Sequence, residues 1–518
     1  MSTNIKYPIG VQDFESLIND GYIYVDKTQH LYNLVNSGRY FFLSRPRRFG
    51  KSLFLSTLKA YFEGKKELFK GLAIEHLEKN WDTYPILYLD LNSKKFETTN
   101  DLEDLLSEQL DIWEKDYGVS EYNAIELRFK RIISQVHKKT GKRVVVLVDE
   151  YDKPLLQAIG NKPLLNDYRD TLKAFYGVLK TMDSCIKFAM LTGVTKFGKV
   201  SVFSDLNNLT DMSMDSRYFD ICGISENELH KYFNTSIEQL AHNNNQTFGE
   251  ACEKLKEEYD GYHFNEKTKG IYNPFSLLNT LEKQTYNSYW FETGTPTFLV
   301  ELLKQSDYNL NKISGIEIDK DAIDSIFTSN NPIPVIYQSG YLTICGYDSE
   351  FKLYKLDFPN REVKEGFIKF LMPYYTSFDK VQSPFEIREF AKDLRAGNIN
   401  DFMTRLQSFF ANVNYDQIVK DVENWYQNVI YIVTTLAGYY VEAERRTANG
   451  RIDLVIKTSN YIYVMEFKLQ GTAEEAMQQI NSKNYPLPYT KDSRKLYKIG
   501  VNFDSTLRNI EKWIVEES

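Results

Sequence analysis

Residues 40–53, YFFLSRPRRFGKSL, contain the stretch that decides the fold of the first half of the chain. The apolar run Tyr40–Ser44 predicts a buried strand, and LFLSTLKAYF, which begins at Leu53, has the apolar spacing of a helix. Between them lies a short loop that contains GKS. A strand, such a loop and a helix form a unit in which backbone N–H groups and a helix N-terminus surround phosphate. The segment therefore predicts a phosphate-binding loop.

Each residue of GKS has an expected role in this loop. Lys51 is expected to contact the β and γ phosphates, Ser52 to hold Mg²⁺, and Gly50 to let the backbone approach the phosphates. The standard pattern GxxxxGK[ST] is not fully met, because its first position is Arg45. The neighbouring residues included in the candidate nucleotide site are Arg47, Arg48, Phe49 and Leu53.

Further along the chain, VVVLVDE predicts a second buried strand that ends in two acids. Asp149 is expected to position Mg²⁺ and Glu150 to polarise the attacking water. Thr192 ends another predicted strand and is a candidate sensor of the γ phosphate, although a strand-end cap is an equal alternative. GKS and DE could each be ordinary turn or surface residues. Because both stand at the C-terminal edge of predicted strands, where α/β proteins bind ligands, they predict ATP binding.

Hydrolysis of ATP also requires a group that stabilises negative charge in the transition state, usually an arginine. The candidates are Arg47, Arg48 and Arg217, and the first two have the alternative role of holding the loop. We expect hydrolysis in addition to binding.

A second candidate site lies on the predicted strand Tyr461–Lys468. Side chains alternate along a strand, so Glu466 and Lys468 share one face. If residues 459–460 form a two-residue hairpin turn, Asp453 lies opposite Glu466. Carboxylates that hold Mg²⁺, beside a lysine that stabilises charge on phosphorus, suit phosphodiester cleavage. An exposed strand face or a structural ion pair would show the same spacing.

Three further side chains are candidates at this second site. Glu444 lies on the preceding predicted strand, Glu423 on the helix before it and Gln479 on the helix after it. Glu444 and Glu423 compete for the role of an additional acid near the metal.

Length and composition bound the class of protein. A chain of 518 residues is too long for one hydrophobic core, and its 42% apolar and 26% charged residues are typical of folded proteins. We find no secretory leader, no apolar run long enough for a membrane span and no CxxC pair among the four cysteines. A cytoplasmic protein without membrane contact is expected.

The net charge of −8 argues against a protein that coats nucleic acid by charge alone. A local exception is the segment 483–498, where five lysine and arginine residues have Asp492 as the nearby opposing charge. This segment is a candidate nucleic-acid contact or, equally, a solvated basic face.

Four domains are expected along the chain. Short β-rich runs alternate with helical stretches in residues 1–222, which predicts a parallel sheet flanked by helices. A helical lid is expected over residues 223–303, starting at Ser225, and a winged-helix-like connector over residues 304–400. Residues 401–518 form the last domain. The predicted strands include residues 86–91, 187–194, 336–347, 351–356, 439–446 and 452–457, and the C-terminal helices are predicted over residues 416–437 and 472–482.

Long strings in the chain carry a family resemblance. They are YVDKT (24–28), LSRPRRFGKSL (43–53), DEYDKPL (149–155), LTGVTKFGKVSVFSDLNNLTD (191–211), YNPFSLLN (272–279), YWFETGTP (289–296), FPNREV (358–363), NGRIDLVI (449–456) and EFKLQGTAEEA (466–476). The chain resembles, over nearly its whole length, a bacterial family that joins an AAA-ATPase-like domain to a C-terminal nuclease domain of the PD-(D/E)xK superfamily. That family has RPRRFGKS in place of the standard loop, so Arg45 is a family trait.

The resemblance implies an α/β multidomain fold. Its parts are a P-loop, AAA-like parallel sheet with a helical lid, a small winged-helix-like connector and a C-terminal α/β domain of the restriction-endonuclease type. The residues that it implies for nucleotide and Mg²⁺ are Lys51, Ser52, Asp149 and Glu150, and those that it implies for the nuclease motif are Asp453, Glu466 and Lys468.

The sequence therefore favours an ATP-gated, Mg²⁺-dependent nuclease that acts on DNA, with RNA as an open alternative. A second hypothesis is a signalling or scaffold ATPase whose nuclease-like domain binds a partner without cutting. A third is a nucleotide-binding switch without hydrolysis. No interface that would set the oligomeric state is indicated.

Overall fold

A computed structural model describes residues 5–118, 124–196, 208–292, 299–300, 302–303, 306–325, 331–375, 383–411, 422–437, 440–447, 450–469, 471–504 and 509–517. The chain divides into two compact units. The first comprises Met1–Gly294 and Glu317–Val363, and the second comprises Thr295–Ile316 and Lys364–Ser518. The four sequence-based domain boundaries remain predictions.

The first unit is built on a parallel sheet. Its strands are β1 (Tyr40–Ser44), β2 (Ile86–Asp90), β3 (Val144–Asp149), β4 (Ile186–Gly193) and β5 (Thr210–Asp211), in the order β2-β3-β4-β1-β5. Every residue of β1 and β3 is buried, which explains their continuous apolar runs. Parallel pairing brings the C-terminal ends of β1, β3 and β4 to one edge. The first four strands confirm the sequence-based strands within one residue.

Helices cover this sheet. They are α1 (Phe14–Asn19), α2 (Thr28–Ser37), α3 (Lys51–Phe62), α4 (Ala73–Leu77), α5 (Thr99–Tyr117), α6 (Ile125–Thr140), α7 (Lys153–Gln157) and α8 (Lys162–Thr181). In α6 the buried residues Phe129, Ile132, Ile133 and Val136 recur at helical spacing. The ring of Phe129 stacks on that of Phe175 in α8 at 4.3 Å, which fixes the two helices together.

A helical subdomain follows the sheet. Its elements are β6 (Ile224–Ser225), α9 (Glu226–Asn243), α10 (Phe248–Tyr259), β7 (Ile271–Tyr272), α11 (Pro274–Lys283) and α12 (Tyr289–Glu292). Ser225 and Glu228 form a capping box at the start of α9, as the sequence predicted for Ser225. The buried ammonium of Lys27 lies 2.6 Å from Glu228 and ties the N-terminal segment to this helix.

The part of the first unit that begins at Glu317 contains β8 (Ile316–Asp319) except for its first residue, then α13 (Lys320–Ile323), α14 (Ile333–Gln338), β9 (Thr343–Asp348) and β10 (Leu353–Asp357). The strands of this sheet follow in the order β8-β10-β9. The strand predicted over residues 336–347 is wrong in its first part, which belongs to α14. Pro332 and Pro334 explain the difference, because proline favours the first turn of a helix and cannot donate to a strand ladder.

The second unit contains a mixed sheet with helices. Its elements are α15 (Arg361–Tyr375), which starts in the first unit, α16 (Ser383–Ala396), α17 (Ile399–Ala411), α18 (Val422–Leu436), β11 (Tyr440–Thr447), β12 (Gly450–Lys457), β13 (Tyr461–Lys468), α19 (Ala473–Ser482), β14 (Lys495–Asp504) and β15 (Asn509–Glu517). The strands follow in the order β11 to β15, with β13 and β14 parallel and the other neighbours antiparallel. α19 crosses over between the two parallel strands.

None of the helices in the described ranges combines the length and apolar character that a membrane crossing needs.

The ion pair between Lys27 and Glu228 gives a stability prediction. Lys27→Ala is expected to lower the free energy of unfolding by about 3 kcal/mol, because the poorly exposed carboxylate of Glu228 loses its charge partner. Urea denaturation followed by circular dichroism measures the change. Lys256→Ala is the control, because Lys256 of α10 pairs in solvent with Glu226, which lies on α9 as Glu228 does, and a loss of about 0.5 kcal/mol is expected there. Equal losses in the two variants would contradict the prediction.

Candidate functional sites

The loop between β1 and α3 contains two residues with left-handed backbone, Arg48 with a φ of 66° and Gly50 with a φ of 95°. Glycine adopts this conformation without strain, so Gly50 suits the turn that starts α3 at Lys51. The first N–H groups of a helix have no partner within it, and the start of α3 is therefore suited to bind an anion.

Arg45 stands where the standard loop has glycine, and its side chain is buried. The guanidinium donates to the carbonyl oxygens of Ser213 at 2.8 Å and Tyr218 at 3.0 Å, and it lies 3.8 Å from the centre of the Phe264 ring. Burial lowers the pKa of Arg45 to about 10, so it stays charged at neutral pH. Because the left-handed positions are 48 and 50, position 45 does not need glycine. Arg45 instead fixes the loop to the chain around residue 213.

Lys51 lies inside the curve of the loop, and its side chain is only 4% exposed. Its Nζ donates to the carbonyl oxygens of Arg45 at 3.1 Å and Pro46 at 3.2 Å, and it lies 3.5 Å from Oε1 of Glu150. Charge-assisted bonds to phosphate oxygens are stronger than bonds to neutral carbonyls, so a phosphate can replace these carbonyls.

Asp149 ends β3 and is buried. It accepts hydrogen bonds from Oγ1 of Thr192, at 2.6 Å, and from Ser52. Burial raises the pKa of Asp149, and the nearby Glu150 adds to this, while the two hydrogen bonds and the charge of Lys51 oppose it. Ser52 and Asp149 thus place two oxygens side by side, which fits the ligand preference of Mg²⁺.

A cavity of about 560 Å³ opens beside the loop. Its polar wall includes Lys51, Ser52 and Glu150, and its apolar wall is formed by residues 8–11 and by Pro274, Phe275 and Leu278 of α11. One charged wall and one apolar wall suit a molecule with a phosphate tail and an aromatic base.

The remaining loop residues divide between the cavity and the core. Arg47, Arg48 and Leu53 line the cavity. Phe49 is buried, and its ring packs against Tyr262 at 4.8 Å and Phe264 at 5.6 Å. Phe49 therefore anchors the loop through the core.

The C-terminal carboxylates lie on a hairpin whose register the sequence predicted. The N–H of Thr458 donates to the carbonyl of Tyr461 at 2.9 Å, which closes the two-residue turn. Leu454 pairs with Met465. Asp453 consequently lies opposite Glu466, and this prediction of the register is confirmed.

Glu466 is buried at 2% exposure, between the sheet and α19. Gln479 donates from Nε2 to Oε1 of Glu466, and Lys468 donates from Nζ to Oε1 of Gln479 at 2.6 Å. The Nζ of Lys468 is also 3.5 Å from Oε1 of Glu466. The three side chains therefore form one hydrogen-bonded group.

The second carboxylate oxygen of Glu466, Oε2, is buried and has no hydrogen-bond partner within the described ranges. Burial, with a further contribution from the charge of Asp453, raises the pKa of Glu466 to about 8. An orphaned buried oxygen beside a second carboxylate is costly unless a cation compensates it. The residues present therefore fit a divalent cation at Oε2.

Gly500 allows α19 to reach this site. A Cβ at position 500 would lie 2.5 Å from the carbonyl oxygen of Ala473 and 2.7 Å from the N of Met477, both in α19. Gly500 pairs with Glu466 across β13 and β14. The close approach of helix and sheet that glycine permits is what brings Gln479 onto Glu466.

The other two acids proposed for this site have described backbones only. Glu423 belongs to α18, and Glu444 belongs to β11, between the paired positions Ala443–Leu454 and Arg445–Ile452, which puts its backbone opposite Asp453. Their side chains lie outside the described part of the structure. Among the described residues no group of three or more His, Cys, Asp or Glu side chains converges as a metal site. The described candidates for metal binding are therefore Ser52 with Asp149 at one site, and Asp453 with Glu466 at the other.

Comparison with known proteins matches each of the two regions of the chain to a family. Residues 8–203 match the family described as "Predicted AAA-ATPase", and residues 421–513 match the "PD-(D/E)XK nuclease superfamily". The first match contains the phosphate loop and the second contains Asp453, Glu466 and Lys468. A relative from Azotobacter chroococcum mcd 1, described as "Uncharacterized protein in vnfD 5'region", is 35% identical in an alignment that covers 99% of this chain and 99% of that protein.

The chain belongs to a family that joins an AAA-ATPase-like region to a C-terminal region of the PD-(D/E)XK nuclease superfamily. Among solved structures, the ORC2 protein of Aeropyrum pernix (ADPNP-ADP complexes) is similar at a TM-score of 0.27 and 11% identity, over 66% of this chain and 93% of that chain. This TM-score is too low to identify the fold. The fold is therefore assigned from the strand order and the family matches.

The AAA-ATPase-like site contains two charged residues that sequence reasoning missed. Asp152 is fully buried and its Oδ2 accepts from the N of Thr195 at 2.6 Å and the N of Val194 at 3.1 Å, which holds the chain just after Thr192. Lys153 lines the cavity and donates to Asn92. The sequence DEYDKP could have indicated them, because Asp152 and Lys153 follow Asp149 and Glu150 after a single residue.

In the nuclease-type region, the structure contradicts one prediction, which concerns the charges around the basic segment 483–498. The basic segment 483–498 does not have Asp492 as its main opposing charge, since Lys498 lies 2.6 Å from Glu516 and Lys495 lies 3.1 Å from Glu517. Antiparallel pairing of β14 with β15 brings these acids alongside, which the sequence order did not indicate. Much of the positive charge is thus neutralised by ion pairs.

The raised pKa of Glu466 gives a prediction for the metal-free protein. An ordinary glutamate titrates near 4.5, so between that pH and about 8 the folded state holds a proton that the unfolded state has lost. The contribution of Glu466 to the free energy of unfolding therefore falls as pH rises through this window, by at most about 1.4 kcal/mol per pH unit. Chemical denaturation in EDTA at a series of pH values measures this slope. Glu466→Gln should flatten it, and an unchanged slope in that variant would contradict the assignment.

Proposed function

We propose that this protein binds and hydrolyses ATP in its first unit and cleaves phosphodiester bonds with Mg²⁺ in its second, with the ATP cycle regulating cleavage. The buried, unpartnered Oε2 of Glu466 beside Asp453 and Lys468 carries the proposal of a nuclease. The cavity that contains Lys51, Ser52 and Glu150 supports the proposal of an ATPase. DNA is the proposed substrate, RNA is an alternative, and the proposed location is the cytoplasm.

In the proposed ATPase, Lys51 binds the β and γ phosphates from inside the loop. Ser52 and Asp149 would hold Mg²⁺, which would supply positive charge at the phosphate oxygens. Glu150 orients the attacking water and accepts its proton, and Thr192 keeps Asp149 in place through their 2.6 Å hydrogen bond. The apolar wall of the cavity excludes water from one side of the nucleotide.

In the proposed nuclease, Asp453 and Glu466 would hold Mg²⁺, and its charge would make the attacking water easier to deprotonate. Lys468 donates to oxygens of the scissile phosphate, where negative charge grows in the transition state. Gln479 keeps the amine and the carboxylate together, because it bonds to both of them.

One observation favours the alternative of a non-cleaving signalling or scaffold ATPase. The lysines of β14 that would attract a nucleic-acid backbone are paired with Glu516 and Glu517. A surface neutralised in this way contributes little to phosphate binding. The two proposals differ in whether any nucleic acid is cut.

The nuclease proposal predicts that Glu466→Gln abolishes Mg²⁺-dependent nicking of plasmid DNA, a loss of about 100-fold or more, because the metal loses a carboxylate ligand. Plasmid is incubated with and without Mg²⁺ and ATP, and nicked circles are quantified. ATP binding should be unchanged in this variant.

Glu474→Gln is the matched control for that experiment, since Glu474 lies on the exposed side of α19 and pairs with Lys512. It should nick like the wild type. Nicking that survives Glu466→Gln would refute the site. ATP turnover by the wild type without cleavage of duplex or single-stranded DNA or RNA would favour the scaffold alternative.

The ATPase proposal predicts different losses for two variants. Lys51→Ala should abolish ATP binding, because the phosphates lose their ammonium partner. Glu150→Gln should bind ATP normally and hydrolyse it about 100-fold more slowly, because the water loses its proton acceptor. Calorimetry with ATP and release of inorganic phosphate measure the two effects. Normal hydrolysis by Glu150→Gln would remove Glu150 from the mechanism.

A further inference from the structure

The cavity beside the phosphate loop receives its positive charge from the loop and from α7. Among the described residues that line it, the cationic side chains are Arg47, Arg48, Lys51 and Lys153. The wall from α11 consists of Pro274, Phe275 and Leu278 and contributes no charge. An arginine that acts on the phosphates from within this unit therefore comes from the loop.

Two other arginines near the loop are committed elsewhere. Arg45 is buried, with its guanidinium bonded to main-chain carbonyls. Arg217 is 68% exposed, pairs with Asp215 at 2.6 Å and does not line the cavity. Lys153 is also held, because it donates to the carbonyl and the side chain of Asn92.

Arg48 differs from Arg47 in its backbone. It is a non-glycine residue at a φ of 66°, a conformation that costs about 1 kcal/mol and is often kept at functional sites. Glu150, the proposed acceptor of the water proton, is also left-handed, with a φ of 53°, and lines the same cavity. The side chain of Arg47 also lines the cavity, whereas its backbone carbonyl accepts from Nε1 of Trp290 at 3.1 Å. The strained position therefore belongs to Arg48.

The side chain of Arg48 lies against α11. Its guanidinium carbon is 4.9 Å from the centre of the Phe275 ring. Phe275 stands in the first turn of α11, where its N–H donates to the side chain of Asn273 at 2.9 Å. A cation over an aromatic face is attracted to it, and here the ring also forms part of the cavity wall. Phe275 thus holds the guanidinium at the edge of the nucleotide cavity.

We propose that Arg48 is the charge-stabilising arginine of ATP hydrolysis, supplied by the phosphate loop of the same chain and positioned by Phe275. The inference rests on the proposed ATPase function. In the step, the water oxygen bonds to the γ phosphorus, the bond from that phosphorus to the β–γ bridging oxygen breaks, and the proton lost by water passes to Glu150. Arg48 donates hydrogen bonds to the γ-phosphoryl and bridging oxygens, where negative charge grows as ADP and phosphate separate.

This arrangement has two consequences. Turnover per chain does not depend on a second chain, because the arginine comes from the same loop as Lys51. Turnover does depend on the position of α11, because Phe275, which positions Arg48, belongs to that helix. A chain that binds ATP with α11 displaced would hydrolyse it slowly.

The test compares four variants of the full-length chain. Arg48→Gly removes the guanidinium and keeps the left-handed backbone, which glycine adopts freely. Arg48→Lys keeps the charge without the planar fork, and Phe275→Leu keeps an apolar wall without the ring. Arg217→Ala is the control for an arginine outside the cavity.

We expect Arg48→Gly to lower kcat for ATP by about 1,000-fold, Arg48→Lys by less, and Phe275→Leu by about 2- to 30-fold. Arg217→Ala should match the wild type. Calorimetry gives a second readout: Arg48→Gly should bind ADP within about threefold of the wild type and lose the tighter binding of ADP with aluminium fluoride, which mimics the transition state. Specific activity of the wild type should not change on dilution.

Three results would overturn the inference. One is a kcat of Arg48→Gly within about threefold of the wild type. Another is an equal loss of affinity for ADP and for the aluminium fluoride complex, which would give Arg48 a ground-state role only. The third is recovery of activity when Arg48→Gly chains are mixed with Glu150→Gln chains, which would place the arginine in a neighbouring chain. A wild type without ATP turnover overturns the ATPase function as well, whereas turnover that survives in Arg48→Gly overturns this inference alone.

Discussion

In each of the two candidate sites, a buried carboxylate lies beside a second carboxylate. Asp149 is buried next to Glu150 at the end of β3, and Glu466 is buried opposite Asp453 in the C-terminal sheet. Burial and like charge both raise the pKa of the buried acid. Such pairs destabilise the fold unless donors or cations compensate them. Hydrogen bonds from Ser52 and Thr192 serve Asp149, whereas Oε2 of Glu466 has no such donor in the described chain.

The predicted phosphate loop turns without glycine at the first position of the standard pattern. A loop of this kind needs left-handed residues only where the chain turns, and here those are Arg48 and Gly50. Position 45 is free to take a long side chain, and Arg45 uses it to bond to the carbonyls of Ser213 and Tyr218. The loop is thereby held by side chains on its inner side, including the ring of Phe49. Rigidity that glycine-rich loops obtain from backbone contacts is supplied here by buried side chains.

Local sequence patterns correctly predicted the strands and the hairpin register, which depend on local geometry. Strands β1 to β4 of the first sheet and the register that sets Asp453 opposite Glu466 follow from apolar runs, side-chain alternation and a two-residue turn. Interactions between distant segments were not predictable in this way. The acids that neutralise Lys495 and Lys498 come from β15, and the partners of Arg45 lie about 170 residues away. The helix at residues 333–338 was wrongly predicted to contain the start of a strand. The apolar pattern there fits a helix or a strand, and the prolines favour the start of a helix.

A hydrogen-bonded path inside the first unit links the phosphate loop to the first turn of α15. The carbonyl of Arg47 accepts from Nε1 of Trp290, and the backbone N of Trp290 donates to Oε1 of Glu362 at 2.8 Å. Glu362 is buried in the first turn of α15, and from Lys364 onward that helix belongs to the second unit. A buried carboxylate resists losing its donors, because each loss leaves a desolvated charge. Any rearrangement of the loop that moves Trp290 must therefore either break this bond or move the first turn of α15.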